Sequence, residues 1–329
     1  MKNKPARKRV SEGVEIRREL LGPDEARSCP ACGALGTLVP FRGGDFQGAD
    51  LRPDDVRITD AQYGRCWPLG RCRRCGMVTA HPMPPAELLG RLYEAVEDPT
   101  YAAEAPFRRR NFERILRFLT DRLGLRPGRL LDVGAALGVL VEAARAAGWE
   151  AYGIEPSRAM AEAARRRGIP VETARLETWD GPVHAFDVIT LLDVIEHVPE
   201  PDRFLAKALR HLRPGGVVCI VTPDVTSVAA RLLGRRWWHY RPGHVQFFSP
   251  RSLRCLIERL GGRVVARRRY CWFFSLDFLF SRFHGGRPVS WLPERCRRWV
   301  LPVNLRDSLE VYARWGHPES SVGPGGASI

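Results

Sequence analysis

From Arg129 onward, short apolar runs alternate with amphipathic segments, and this rhythm restricts the fold more than any other feature. "RLLDVG" reads as a buried strand and "GVLVEAARAAG" as a helix closed by Gly148. "EAYGIEP" is a second strand. "SRAMAEAARRRG" is a helix with Ser157 as its N-cap and Gly168 as its stop. "PVETARL" and "FDVITLLDVIEHV" supply a third and a fourth strand. "PDRFLAKALRHLRPGG" is a helix ending in a turn, followed by "VVCIVTP" as a fifth strand. Strands joined through helices require a parallel sheet with helices on both faces. After Pro223 the order loosens. "SPRSLRCLIERLGG" is a helix begun by Ser249, "RVVARRRYCWF" a sixth strand and "SLEVYARW" a last one.

Open parallel sheets bind ligands beyond the carboxyl ends of their strands. The turn after the first strand, "LLDVGAALGVL", is therefore the first place to look for a ligand. Glycine there lets backbone approach a ligand and take unusual dihedrals. The dinucleotide spacing G-x-G-x-x-G does not fit, because from Gly134 it falls on Ala136 and Val139. The spacing that fits is D-x-G-x-x-x-G, from Asp132 to Gly138. Ala136 adds a single methyl group, which the turn accommodates if φ stays negative there. Glu155 ends the second strand in "GIEPS", where a carboxylate can accept both hydroxyls of a ribose.

The second strong pattern is cysteine pairing. Of the nine cysteines, four form "CPAC" (Cys29, Cys32) and "CRRC" (Cys72, Cys75), with 39 residues between the pairs. Two such pairs place four thiolates around one Zn²⁺, and Gly33 and Gly76 let each knuckle turn. With every ligand supplied by protein, the ion has no open position for chemistry and serves to fold a small lobe. Cys66 lacks a knuckle partner and is left out of the set.

At 329 residues and 44% apolar composition the chain can build a sizeable core. It contains no apolar run long enough to cross a bilayer, and the basic start "MKNKPARKRV" has no apolar segment behind it, so a cytoplasmic location is expected. The net charge of +15 favours anionic partners, although arginines scattered by a GC-rich genome would give the same figure. Residues 1–27 form a charged lead, expected to be disordered. Residues 28–83 form the zinc-binding lobe and 84–128 a helical linker or lid, in which Tyr93 and Tyr101 could fold over the pocket. Residues 129–316 form the main domain. The composition of 317–329 is that of a disordered tail.

Residues 129 to about 265 resemble a class I S-adenosylmethionine-dependent methyltransferase. The family's first motif resembles D-x-G-x-G-x-G, with Ala136 here in place of the middle glycine. The resemblance implies a Rossmann-like seven-stranded sheet, mostly parallel with the last strand antiparallel, behind a small zinc-ribbon-like lobe. It also implies S-adenosylmethionine and a structural Zn²⁺ as cofactors. By this likeness Asp132, Gly134, Ala136 and Gly138 surround the methionine end and Glu155 the ribose. Pro156 and Ser157 would flank the adenine, and Ala174, Arg175 and Leu176 would border its edge. Asp193 in "LLDVIEHVPEP" matches the pocket-facing position of the fourth-strand motif.

The cysteine pairs, "LYEAVEDPTY", "HVQFFSPRSL" and "LPVNLRDSLEVYAR" are similar to bacterial methyltransferases with N-terminal zinc lobes. That group includes C-methyltransferases of nucleotide-linked deoxysugars and enzymes of envelope glycans and secondary metabolites. The sugar enzymes carry a further large domain that this sequence does not include. Within "WWHYRPGHVQFFS", His244 resembles the histidine of their E-H-x-x-x-F-S segment, a candidate base, with Gly243 in place of the glutamate. His239 and Tyr240 are alternatives. His197 is expected to serve local hydrogen bonding. The expected activity is methyl transfer to a small molecule, anionic or lipid-linked. Two alternatives stand beside it: methylation of an RNA base, and a regulatory protein that kept the fold and lost the activity. The aromatic stretch 272–292 reads as core strand plus helix, as a wall for an apolar acceptor, or as a peripheral membrane contact.

Overall fold

The computed structural model describes residues 27–45, 51–59, 63–281, 293–297 and 299–316. Residues 1–26 of the expected lead, the tail 317–329, and residues 282–292 of the aromatic stretch lie outside them.

Three short strands open the fold: β1 (Leu38–Arg42), β2 (Leu69–Cys72) and β3 (Val78–Ala80). Two helices follow, α1 (Ala86–Glu94) and α2 (Pro99–Arg117). The alternating unit comprises β4 (Arg129–Val133), α3 (Val139–Ala146), β5 (Glu150–Glu155), α4 (Arg158–Arg166), β6 (Val171–Thr173), β7 (Phe186–Leu192), α5 (Pro201–His211) and β8 (Leu212–Pro223). Then come α6 (Val228–Leu233), β9 (Gln246–Phe247), α7 (Pro250–Arg259), β10 (Gly262–Arg269), β11 (Trp272–Ser275), α8 (Leu276–Ser281), β12 (Val300–Val303) and β13 (Ser308–Trp315).

The main sheet has seven strands in the order β10-β13-β8-β7-β4-β5-β6. β4 to β8 pair in parallel, and β13 runs antiparallel to both β8 and β10, as the resemblance implied. Successive residues of a strand face opposite sides, and here both sides are covered. Leu131, Val133, Ile189 and Leu191 pack on one face; Leu130, Val188, Val217 and Cys219 pack on the other. This double burial is why the strands read as continuous apolar runs. The helix boundaries follow from capping: the Ser157 hydroxyl accepts from Met160 N–H at 3.2 Å, and Ser249 from Ser252 N–H at 3.1 Å.

One expectation is corrected. No turn separates α5 from β8. Pro214, Gly215 and Gly216 lie inside the strand, where its pairing with β7 shifts register between Phe186 and Val188, and Gly215 takes a φ of 82°. The register shift absorbs the residues whose composition suggested a turn.

A second sheet joins the cysteine-bearing strands to the rest of the chain. Its order is β1-β2-β3-β9, so β9 reaches it from well beyond the parallel unit. Val78 pairs with Phe247 and Thr79 with Gln246. Arg259 of α7 clamps the first knuckle, donating to Pro30 O at 2.7 Å and Ala31 O at 3.1 Å.

Candidate active site

β4 is the point where strand order reverses, with β5 on one side and β7 on the other. The turn that follows it runs over the end of β5: Gly134 and Ala135 donate to Ile154 O at 2.9 and 3.0 Å. Gly134 and Gly138 have φ of 75° and 71°, a region open to glycine. Ala136 does not keep the negative φ expected of it. Its φ is 49°, a left-handed conformation that costs an L-residue about 1 kcal/mol. Two contacts hold it there. Its N–H donates to Glu155 Oε2 at 2.8 Å, and its methyl group is buried among Tyr101 and Met160.

Glu155 takes a second amide, from Ser157 at 2.8 Å onto Oε1. Each oxygen keeps a further lone pair. Burial pushes its carboxyl up to about 7, against the lowering effect of the two amides. Asp132, behind the turn, accepts from Thr190 Oγ1 at 2.6 Å and is likewise pushed up to about 7 by burial.

An inner cavity opens at this turn, lined by Gly134, Glu155, Pro156, Ala174, Arg175 and Leu176. Leu89, Gly90 and Tyr93 of α1 cover it. Asp132, Ala136 and Gly138 shape the turn from behind without lining the cavity. Arg175 is steadied by Glu94 and Glu177, each at 3.7 Å. An outer cavity of about 530 Å³ adjoins it, and Asp193 and His197 line both. Asp193 has a φ of 53°, and its carboxyl is pushed up to about 7 by burial.

The outer cavity is lined by Glu196, His239, His244 and Asp307, by Arg108 and Arg241, and by the rings of Trp272, Phe274 and Phe278. His244 is buried, its Nδ1 has no hydrogen-bond partner among the described residues, and burial pushes its pKa well below the usual histidine value. Its ring lies 4.6 Å from that of His197, edge on, and 5.9 Å from that of His239, stacked. His197 has the local role expected of it. Nδ1 donates to Gly243 O at 2.9 Å and sits 2.6 Å from the Tyr93 hydroxyl. Burial pushes its pKa down to about 3, so the ring is neutral. Glu196 accepts from Thr222 Oγ1 at 3.0 Å, while Oε1 is buried without a partner among the described residues. Glu196, His197 and His244 bring three donor atoms within 4.8 Å of one another, a grouping that a cation or a shared proton would satisfy.

Of the three candidates in "WWHYRPGH", His244 and His239 face the outer cavity, His239 paired with Asp307 Oδ2 at 3.2 Å. Tyr240 is turned away. It packs against Trp237 and Phe247 beneath the Arg42 guanidinium and borders a separate depression. Where the sequence motif lacks a glutamate before His244, the fold brings the Glu196 carboxyl within 4.8 Å of a ring nitrogen of His244. Gly243 has a steric reason as well: a Cβ there would meet the Tyr93 hydroxyl at 2.8 Å. Glu196 and Arg108 escaped the reading of the sequence. Glu196 sits in the quoted "LLDVIEHVPEP", and only its acid-histidine adjacency could have flagged it. The described part of the aromatic stretch, residues 272–281, forms β11 and α8 and walls the outer cavity with half-buried rings.

The four paired cysteines converge. Cys29 and Cys75 sulfurs lie 3.6 Å apart, Cys32 and Cys72 sulfurs 3.7 Å, and all four ligand atoms fall within 4.8 Å. A tetrahedral Zn²⁺ with bonds of about 2.3 Å needs sulfurs about 3.8 Å apart. Gly33 N–H closes onto Cys29 O at 2.8 Å and Gly76 N–H onto Cys72 O at 2.9 Å, the turns expected of two knuckles. Cys66 stays outside the cluster.

A family described as a methyltransferase domain matches residues 101–267. A ubiquinone biosynthesis O-methyltransferase from Bradyrhizobium sp. (strain ORS 278) is 31% identical over 54% of this chain and 76% of its own length. The protein of the same name from Paramagnetospirillum magneticum (strain ATCC 700264 / AMB-1) is 36% identical over 37% of this chain and 52% of its own length. The fold also resembles magnesium protoporphyrin IX methyltransferase from Synechocystis PCC 6803 at a TM-score of 0.44. That match has 14% identity and covers 67% of this chain and 88% of the other. The chain belongs to the methyltransferase-domain family. It is a class I enzyme that uses S-adenosylmethionine, with a cysteine cluster able to bind a metal ahead of the catalytic fold.

Gly243→Ala is expected to lower stability by about 1 kcal/mol or more through the clash with Tyr93. Urea unfolding checks this, and an unchanged midpoint contradicts the packing described.

Proposed function

We propose that this protein transfers the methyl group of S-adenosylmethionine to an oxygen of a small organic acceptor held in the outer cavity. One observation carries the reading: the two cavities meet at Asp193 and His197, with His244 just beyond. The oxygen specificity is suggested by the relatives named as O-methyltransferases. In the reaction the acceptor oxygen forms a bond to the methyl carbon as the carbon–sulfur bond breaks. The products are the methyl ether, S-adenosylhomocysteine and one proton.

Glu155 accepts the ribose hydroxyls with the lone pairs its two amides leave. Pro156 and Ala174 to Leu176 enclose the adenine. Gly134 and Asp193 border the methionine end, with Asp132 holding the turn. His244 receives the acceptor's proton. Burial leaves its ring neutral at neutral pH. The Glu196 carboxyl, which burial pushes well above the usual carboxylate range, lies within 4.8 Å to offset the imidazolium as it forms. Closure of α1 over the inner cavity keeps water from the sulfonium.

The Cys29, Cys32, Cys72 and Cys75 cluster holds Zn²⁺ in this reading, supported by the sulfur spacings. The ion would fix β2 and β3, and through β9 the backbone on which His244 stands.

Three outcomes follow from these roles. Glu155 binds ribose as a carboxylate, and burial raises its pKa to about 7 in the free protein. Affinity for S-adenosylhomocysteine should therefore rise as pH increases through about 7, read by calorimetry, and Glu155→Gln should flatten the profile. A flat wild-type profile contradicts the role. His244→Ala should keep cofactor affinity and lose about 100-fold or more in kcat; full turnover in that variant removes His244 as the base. Cys72→Ser should abolish the single zinc equivalent in metal analysis and speed hydrogen exchange at residues 244–247. Unaltered exchange there, with the metal gone, contradicts the coupling.

A further inference from the structure

We infer that the outer cavity selects acceptors that carry a carboxylate, and that the buried guanidinium of Arg108 receives it. The inference rests on the assignment of that cavity to the acceptor. Arg108 lies on α2 and is 6% exposed. Its Nε is buried with no hydrogen-bond partner. Among the described residues none of its N–H groups donates a hydrogen bond and no carboxylate stands within ion-pair distance. Glu104, one turn back on the helix, is committed to Ser275, accepting from its hydroxyl at 2.6 Å and its amide at 3.2 Å. Asp193 acts on Arg108 only through its field.

A buried cation without a counter-ion is costly unless a ligand supplies one. What holds Arg108 in place is aromatic. Its guanidinium carbon lies 4.5 Å from the Tyr101 ring centre and 5.7 Å from that of Trp272. Rings orient the planar fork and leave its N–H groups unused, and a carboxylate matches that fork with two parallel bonds. The group opens into the outer cavity and does not line the inner one, which favours the acceptor over the cofactor as its partner. Beside it the rings of Trp272 and Phe274 stack at 5.6 Å and those of Phe274 and Phe278 at 4.8 Å. That row of half-buried rings suits a flat apolar body. The acceptor class is therefore an aromatic or otherwise planar organic acid.

The test titrates benzoate, and benzyl alcohol as its neutral counterpart, into the protein loaded with S-adenosylhomocysteine. Benzoate should bind saturably and more tightly than benzyl alcohol. Arg108→Met should weaken benzoate about tenfold or more and leave benzyl alcohol unchanged. Arg108→Lys keeps the charge without the fork, and should give an intermediate loss with thermal stability close to wild type. No preference for benzoate, or equal binding by Arg108→Met, overturns the inference. A third arm compares S-adenosylhomocysteine with 5′-methylthioadenosine, which lacks the amino-acid carboxylate. If Arg108→Met weakens only the former, the guanidinium serves the cofactor and the inference falls. Failure of the wild-type protein to bind S-adenosylhomocysteine would sink the methyltransferase assignment itself, a separate result.

Discussion

The pairing of β3 with β9 is the constraint on which the site depends. Val78 and Thr79 hold Phe247 and Gln246, and Ala80 N–H donates to Val245 O at 2.8 Å. On its other side Val245 donates to Glu196 O at 2.9 Å. Val245 thus ties the cysteine-bearing sheet to the short helical turn that follows β7. His244 is the next residue along. Its position relative to Glu196 and His197 is fixed by backbone hydrogen bonds on both sides, the kind of support that a preorganised site requires.

This arrangement gives the cysteine cluster a consequence beyond local folding. β2 and β3 are short, and an isolated pair of such strands is marginal in water. Burial of Cys29, Cys72, Cys75 and Met77 within the same apolar cluster as Leu131 and Ile189 supplies part of their stability. A metal bound by the four sulfurs would supply more. The inner cavity stands mainly on the ends of β4, β5 and β7, with Val56, Ile58 and α1 closing it. The fold therefore sets an inner cavity at the ends of the parallel strands beside an outer cavity whose walls come from several distant segments. Arg108 is on α2, Glu196 and His197 follow β7, His244 precedes β9, and Trp272 opens β11.

That arrangement explains what could be read in advance. The parallel sheet was legible because strands buried on both faces, such as "RLLDV" and "FDVITLL", leave a local apolar signature. Glu155 was legible for the same reason: its place depends only on ending β5 beside the turn. The cysteine pairs announced themselves by spacing. The Glu196–His244 proximity did not, because 47 intervening residues and a two-residue strand bring it about. Arg108 looked like one of three consecutive arginines on a helix, and only the packing of α2 against β11 buries it. Ala136 shows a subtler limit. Its residue type argued for negative φ, yet the amide contact to Glu155 and the burial of its methyl group override that local preference.

The central claim is that cofactor and acceptor occupy two chambers joined at Asp193 and His197. The most direct test is a crystal structure with S-adenosylhomocysteine bound. The account predicts the ribose on Glu155, the adenine beside Ala174 to Leu176, and the sulfur facing the opening toward His244. An adenosine lodged among Trp272 and Phe274, or a sulfur pointing away from the outer cavity, would contradict it.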